Sequence, residues 1–197
     1  MPGPRIVVAA LGDSITAGSP GWDPNPKLRP RDADPESQYE FWAAAADPRL
    51  EFRNFGVYGE RTDEIARRLD GCAQSADVLV VQGGINDIAQ GRSVDDPAES
   101  LRRMLQRGRE LGLRLLVANV LPWNNGYPAA DADIRRLNAL IAAIALDIDV
   151  PLLPFYETLE DAARPGRMRE EWTSDGDHPS VAGYRRLGER AFRLPGD

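Results

Sequence analysis

Cysteine, histidine and lysine each occur once among the 197 residues, and the first two scarcities exclude whole classes of protein. Cys72 alone cannot close an intrachain disulfide, so the chain is not a disulfide-stapled scaffold. With Cys72 and His178 as the only soft ligands, the usual structural zinc sites cannot be assembled. No EF-hand spacing appears, and the sequence points to no metal. Lys27 is the only lysine, the other basic residues being arginine, and no function follows from that skew.

Long hydrophobic runs are missing too. The longest helical apolar stretch, LNALIAAIAL (137–146), is about half of the roughly 20 residues a membrane span needs. The N-terminal run Ile6 to Leu11 is too short for a signal-peptide core and has no small-residue cleavage site after it. The expected location is cytoplasmic. Basic charge is in deficit: the net charge is -7, which disfavours phosphate backbones and anionic membrane surfaces, so no nucleic-acid partner is expected. Neither G-x-x-x-x-G-K-[ST] nor G-x-G-x-x-G is present, which argues against a nucleotide binder.

What remains is an ordinary soluble composition, 42% hydrophobic and 28% charged, with a length suited to one domain over 1–197. Short apolar runs alternate with longer amphipathic ones. RIVVAAL (5–11), EFRNFGV (51–57), DVLVVQGG (77–84), LRLLVANVL (113–121) and VPLLPF (150–155) read as strands. The first, third and fourth are nearly continuous in Val, Leu and Ile, as strands covered on both faces should be. Helices are expected over 37–47, from a Thr62 cap through DEIARRLDGCAQ, from an Asp96-Pro97-Ala98-Glu99 capping box onward, over the repeat Ile134, Leu137, Leu140, Ile141, Ile144, and from Ser180 to Phe192. In the third of these the apolar stripe is Leu101, Met104, Leu105 and Leu111, and Cys72 continues the Ile65–Leu69 stripe as a core residue. Strands separated by helices run parallel, so the expected fold is a three-layer α/β/α sandwich with about five strands, flavodoxin-like in broad architecture. Two long segments, 19–36 with five prolines and 122–132, leave the C-terminal sheet edge, where open parallel sheets bind ligands.

Chemistry-bearing residues gather at those strand tips. Ser14 follows the first strand in GDSITAG, where it is either a helix cap or a nucleophile; a serine nucleophile needs a base. It does not sit in the G-x-S-x-G elbow. The only histidine, His178, lies in DGDHPSVAGY just before Pro179, the expected start of the last helix. Of its two acidic neighbours, Asp175 stands three back and can curl round to the far ring nitrogen. Asp177, adjacent, is expected to be solvated or turn-forming. Asn86 in GGIND and Gly59 in NFGVYGERT are candidate donors to an oxyanion, or plain turn residues.

The blocks GDSITAG, NFGVYGERT, GGIND and DGDHPSVAGY, in that order from Ser14 to Tyr184, resemble those of the GDSL or SGNH hydrolase family. Position 15 is Ile where the family name implies Leu. The resemblance implies Ser14 as nucleophile, His178 as base, Asp175 as its partner, and an oxyanion hole of the Ser14 N–H, Gly59 and Asn86. It also implies an α/β/α fold, no cofactor, and a small-molecule ester as substrate. Asp13 is expected to shape the turn. Trp22, Trp123 and Tyr127, on the two long loops, are candidate substrate contacts. A carbohydrate O-acetylesterase and a non-catalytic binding module on the same fold are the rival readings.

Overall fold

The computed structural model describes residues 3–19 and 34–194. Trp22 and most of the 19–36 loop lie outside these residues. Strands β1 (Ile6–Gly12), β2 (Leu50–Gly56), β3 (Val78–Val81), β4 (Arg114–Ala118) and β5 (Leu152–Leu153) form one parallel sheet in the order β2-β1-β3-β4-β5. The order reverses at β1, so the crevice at its C-terminal end is where a ligand site is expected.

Alternation along the strands splits the core into two layers. Ala9, Leu11, Leu79, Val81, Leu115 and Val117 face one side, Val8, Ala10, Val78, Val80, Leu116 and Ala118 the other. The first side is covered by α3 (Thr62–Cys72), α5 (Asp95–Glu110) and α6 (Asp131–Asp147) through Ile65, Leu69, Leu101, Met104, Leu105, Ile134, Leu137, Ile141 and Ile144. The second is covered by α2 (Tyr39–Ala46), α7 (Phe155–Leu159) and α8 (Val181–Arg186) through Tyr39, Phe155, Leu159 and Tyr184. This is the expected three-layer α/β/α sandwich. Cys72 is buried in the first core layer, and burial pushes its thiol pKa up.

Several local expectations need correction. The α3 N-cap is Arg61, whose N–H meets Glu64 at 3.0 Å, while Thr62 is already helical. Helix α5 starts at Asp95, one residue ahead of the expected cap, and has no side-chain cap. Leu111, past its end, is 40% exposed rather than core. Ser180, not Pro179, stands at the head of α8, and its hydroxyl accepts the Gly183 N–H. The last helix runs as α8 to Arg186 and continues as a π-helical turn, Leu187–Ala191. Strand β5 keeps two residues of the six expected, since Pro151 and Pro154 flank it and neither has an N–H to give the ladder. Two short helices stand at the strand tips: α1 (Ser14–Ala17), which the helix-cap reading of Ser14 anticipates, and α4 (Ile85–Ala89), which no sequence expectation covers.

Candidate active site

Asp13, not Ser14, caps α1. Its Oδ1 accepts the Ile15 N–H at 2.9 Å, which satisfies the start of the helix and leaves the Ser14 hydroxyl uncommitted to the backbone. Gln82, just past β3, holds the same turn from the neighbouring strand: its Oε1 accepts from the Asp13 N–H at 3.3 Å and the Thr16 hydroxyl at 2.9 Å. On the other side, Asn54 near the end of β2 donates to the Thr16 carbonyl at 2.6 Å. The turn that carries Ser14 is therefore gripped from both adjacent strands.

Asp13 is fully buried, and its Oδ2 has no hydrogen-bond partner among the described residues. Burial raises its pKa to about 6, opposed chiefly by the Ile15 N–H bond to its Oδ1.

His178 reaches Ser14 from the loop before α8. Its Nε2 lies 3.0 Å from Ser14 Oγ and its Nδ1 2.8 Å from Asp175 Oδ2. The other Asp175 oxygen accepts the backbone N–H groups of Asp177 (2.9 Å) and His178 (2.8 Å). Burial pushes the Asp175 carboxyl up, but the hydrogen bonds from the His178 ring and from those two N–H groups outweigh it and hold the pKa below its ordinary value. A hydroxyl, an imidazole and an ionised carboxylate in one hydrogen-bonded series can move a proton off the hydroxyl as it attacks an electrophile.

Gly59 sits in the turn after β2 with φ +76°, a conformation that favours glycine, and a Cβ there would meet nothing within 4 Å. Backbone geometry rather than space is what the position demands. Asn86, in α4 rather than on a strand end, donates from Nδ2 to the Glu60 carbonyl at 2.9 Å, which aims the amide beside the Gly59 turn and leaves its second hydrogen for another acceptor. The next residue, Asp87, is fully buried and accepts from the Thr62 N–H (2.9 Å), the Thr62 hydroxyl (3.1 Å) and Arg92 (3.2 Å). Burial pushes its pKa up, and those three partners oppose the shift. Asp87 thus ties the β3 tip to the start of α3, three residues after Gly59.

The remaining candidates divide. Trp123 packs partly buried on the core, and its indole N–H donates to Asp177 Oδ1 at 2.5 Å. Of the two expectations for Asp177, the turn-forming one agrees with its N–H bond to Asp175 at 2.9 Å, while its carboxylate is bonded to protein donors rather than given up to solvent. Tyr127 is 40% exposed and carries the Arg167 guanidinium 5.5 Å from its ring centre. No hydrogen bond or ring contact joins Tyr127 to Ser14, Asp175 or His178 among the described residues. Tyr58 was missed. Its ring centre is 6.4 Å from that of His178, and its hydroxyl donates to the Gly18 carbonyl. The only sequence signal for it was its place next to Gly59. Among the described residues, no cluster of His, Cys, Asp and Glu is arranged to hold a metal ion, and no helix is long and apolar enough to cross a membrane.

A parallel α/β/α sandwich with a serine–histidine–aspartate series at the topological switch point defines a class, that of α/β proteins built like hydrolases. The comparisons narrow it. The model of the GDSL-like lipase/acylhydrolase family matches residues 10–186, and the chain belongs to that family. Solved structures share the fold. A G-D-S-L-family protein of Desulfitobacterium hafniense superposes with a TM-score of 0.78 at 20% identity, covering 94% of this chain and 97% of its own. A member of the lipolytic G-D-S-L family from Veillonella parvula gives 0.76 at 19%, covering 95% and 96%. An acetyl xylan esterase gives 0.72 at 18%, covering 93% and 96%. No curated protein matches the sequence.

Proposed function

We propose that the protein is a serine hydrolase of small or medium carboxylic esters, working through an acyl-enzyme. The observation that carries this reading is the hydrogen-bonded series Asp175–His178–Ser14, with both imidazole nitrogens engaged at 2.8 and 3.0 Å. Ser14 Oγ attacks the ester carbonyl while His178 Nε2 takes its proton. The carbonyl oxygen becomes an oxyanion, stabilised by the N–H groups of Ser14 and Gly59 and by Asn86 Nδ2. His178 returns the proton to the departing alcohol. A water activated by His178 then adds to the acyl-enzyme, and the carboxylic acid leaves. Asp175, ionised across the neutral pH range, holds the imidazole in the tautomer with hydrogen on Nδ1 and balances its charge when it is protonated. No step calls for a cofactor.

Tyr58 beside His178 and Trp123 beside Asp177 supply apolar surface for the acyl or alcohol part of the ester. Trp123→Ala is expected to change the ratio of kcat/KM between short and long acyl esters.

Hydrolysis of 4-nitrophenyl acetate by the purified protein tests the reading. Ser14→Ala and His178→Ala are each expected to lower kcat by about 10⁴ or more. The double variant should cost little beyond either alone, as for residues that act as a unit. Full activity in folded Ser14→Ala would exclude the nucleophile assignment and with it the reaction.

A further inference from the structure

The turn that carries Asp175 and His178 lies between two short helical pieces, and its internal bonds fix its shape. Gly176 N–H meets the Thr173 hydroxyl at 2.9 Å, and both Thr173 Oγ1 (2.9 Å) and the Ser174 N–H (3.0 Å) reach the His178 carbonyl. None of these bonds sets where the turn stands relative to Ser14. Helix α8, which follows the turn and packs in the second core layer through Tyr184, anchors one side of it, and another segment, the loop after β4, anchors the other.

Four groups of that loop meet the turn. The N–H groups of Asn124 (2.9 Å) and Asn125 (3.4 Å) donate to the Gly176 carbonyl. Asn125 Nδ2 donates to the Asp175 carbonyl at 2.9 Å and to Asp177 Oδ1 at 2.7 Å. Trp123 Nε1 donates to the same Asp177 oxygen at 2.5 Å. The fit is close: a Cβ on Gly176, whose φ is +88°, would stand 2.6 Å from Asn125 Oδ1. The loop is itself anchored, because Trp123 packs on the core and the Asn124 amide pairs both ways with the Met168 backbone, at 2.7 and 3.0 Å.

We propose that Asp177 is a positioning residue for the His178 base. Its carboxylate, gripped by the Trp123 indole and the Asn125 amide, locks the turn of Asp175 and His178 to the 122–126 loop and so sets the aim of the imidazole at Ser14. The proposal rests on the reading of His178 as base. One oxygen taking two N–H donors makes a directional joint that a solvated side chain would not make. The same joint links the loop that carries Trp123 to the base itself. Displacing a catalytic group by about 1 Å costs up to about 10²-fold in rate, so the grip affects turnover more than binding.

The test uses the full chain and 4-nitrophenyl acetate, with Asp177→Ala, Asp177→Asn, Trp123→Phe and the double variant Asp177→Ala with Trp123→Phe. Asp177→Ala and Trp123→Phe are each expected to lower kcat about ten- to hundredfold with KM changed less than about twofold. The double variant should fall no further than about the weaker single, since both remove one joint. Asp177→Asn keeps an accepting oxygen without the charge and is expected to recover most of the loss. The Nδ1–H proton resonance of His178, unambiguous in a chain with one histidine, should be sharp in the parent and in Asp177→Asn and broadened or lost in the other three.

Parent-level kcat in Asp177→Ala, additive losses in the double variant, or an Asn variant as impaired as the Ala variant would each overturn the proposal, the last by showing that charge rather than grip is what matters. If Asp177→Ala fails to fold, Trp123→Phe alone carries the same test. Activity surviving in Ser14→Ala would defeat the hydrolase reading instead, while the resonance, recorded without substrate, would still report on the grip.

Discussion

Asp13 and Ser14 divide the two jobs that meet at the tip of β1. Asp13 caps α1, so the Ser14 hydroxyl is left to His178. Burying Asp13 has a pH signature. Its pKa in the folded chain is about 6 against an ordinary 3.8, so the folded state binds the proton more tightly than the unfolded one. Ionising it therefore costs stability: the cost is absent below about pH 3.8, grows between there and about 6, and is complete above, on the order of 3 kcal/mol. Asp13→Asn keeps an acceptor for Ile15 and cannot ionise. The stability of this variant relative to the parent is expected to rise from pH 4 to 6 and then level off, as followed by urea denaturation; a constant difference would mean that Asp13 does not titrate there. Asn86 belongs to the same scale. On the proposed reading of Asn86 as an oxyanion donor, Asn86→Ala removes a group that would meet full charge only in the transition state, so kcat should fall by about 10²–10³, roughly 3–4 kcal/mol, with little change in KM. A lower melting temperature with unchanged kcat per folded molecule would instead make it a tie to the Glu60 carbonyl.

The elements that carry these residues are short and are held by side chains rather than by their own length. Helix α1 has four residues and α4 five, too few to be stable alone. Asp87 shows how they persist. From α4 it binds the first residue of α3 by two hydrogen bonds and takes Arg92 as a third partner. Asp87→Ala would leave the Thr62 N–H and hydroxyl buried without acceptors and Arg92 without that partner. The expected loss is about 2–4 kcal/mol in chemical denaturation, with Asp87→Asn losing less. A loss below about 0.5 kcal/mol, the range of ordinary surface substitutions, would show that water replaces these bonds and that the tie is dispensable. Arg68 does similar work between strands. From α3 it donates to the carbonyls of Phe55 (2.9 Å) and Gly12 (3.2 Å), and it pairs with Glu60 at 2.6 Å.

At the scale of the molecule, one sheet serves two core layers, and each central strand contributes to both. Leu116 is fully buried on the face of α2, α7 and α8, while its neighbours Leu115 and Val117 face α3, α5 and α6. Removing its side chain should weaken both layers through the shared strand. Leu116→Ala is expected to cost about 3–4 kcal/mol. Circular dichroism and tryptophan fluorescence should report a single coincident unfolding transition. Separate transitions would mean that the layers unfold independently.

Periodicity determined much of this protein before any coordinates. Continuous apolar runs marked β1, β3 and β4, the 3.6-residue stripes marked α3, α5 and α6, and their alternation implied a parallel sheet under helices, because burial on one or both faces dictates those patterns locally. Ser14, Asp175 and His178 were legible for a related reason: each sits at a strand tip or loop where residue type and spacing narrow the chemistry. Folding alone decided how the α1 turn would be held, because that depends on how Gln82 and Asn54 approach from neighbouring strands. It also decided that Asp177 would bond to Trp123, 54 positions away in the chain. Such pairings depend on the path of loops that have no period, and a sequence pattern has no term for a donor that arrives from another loop.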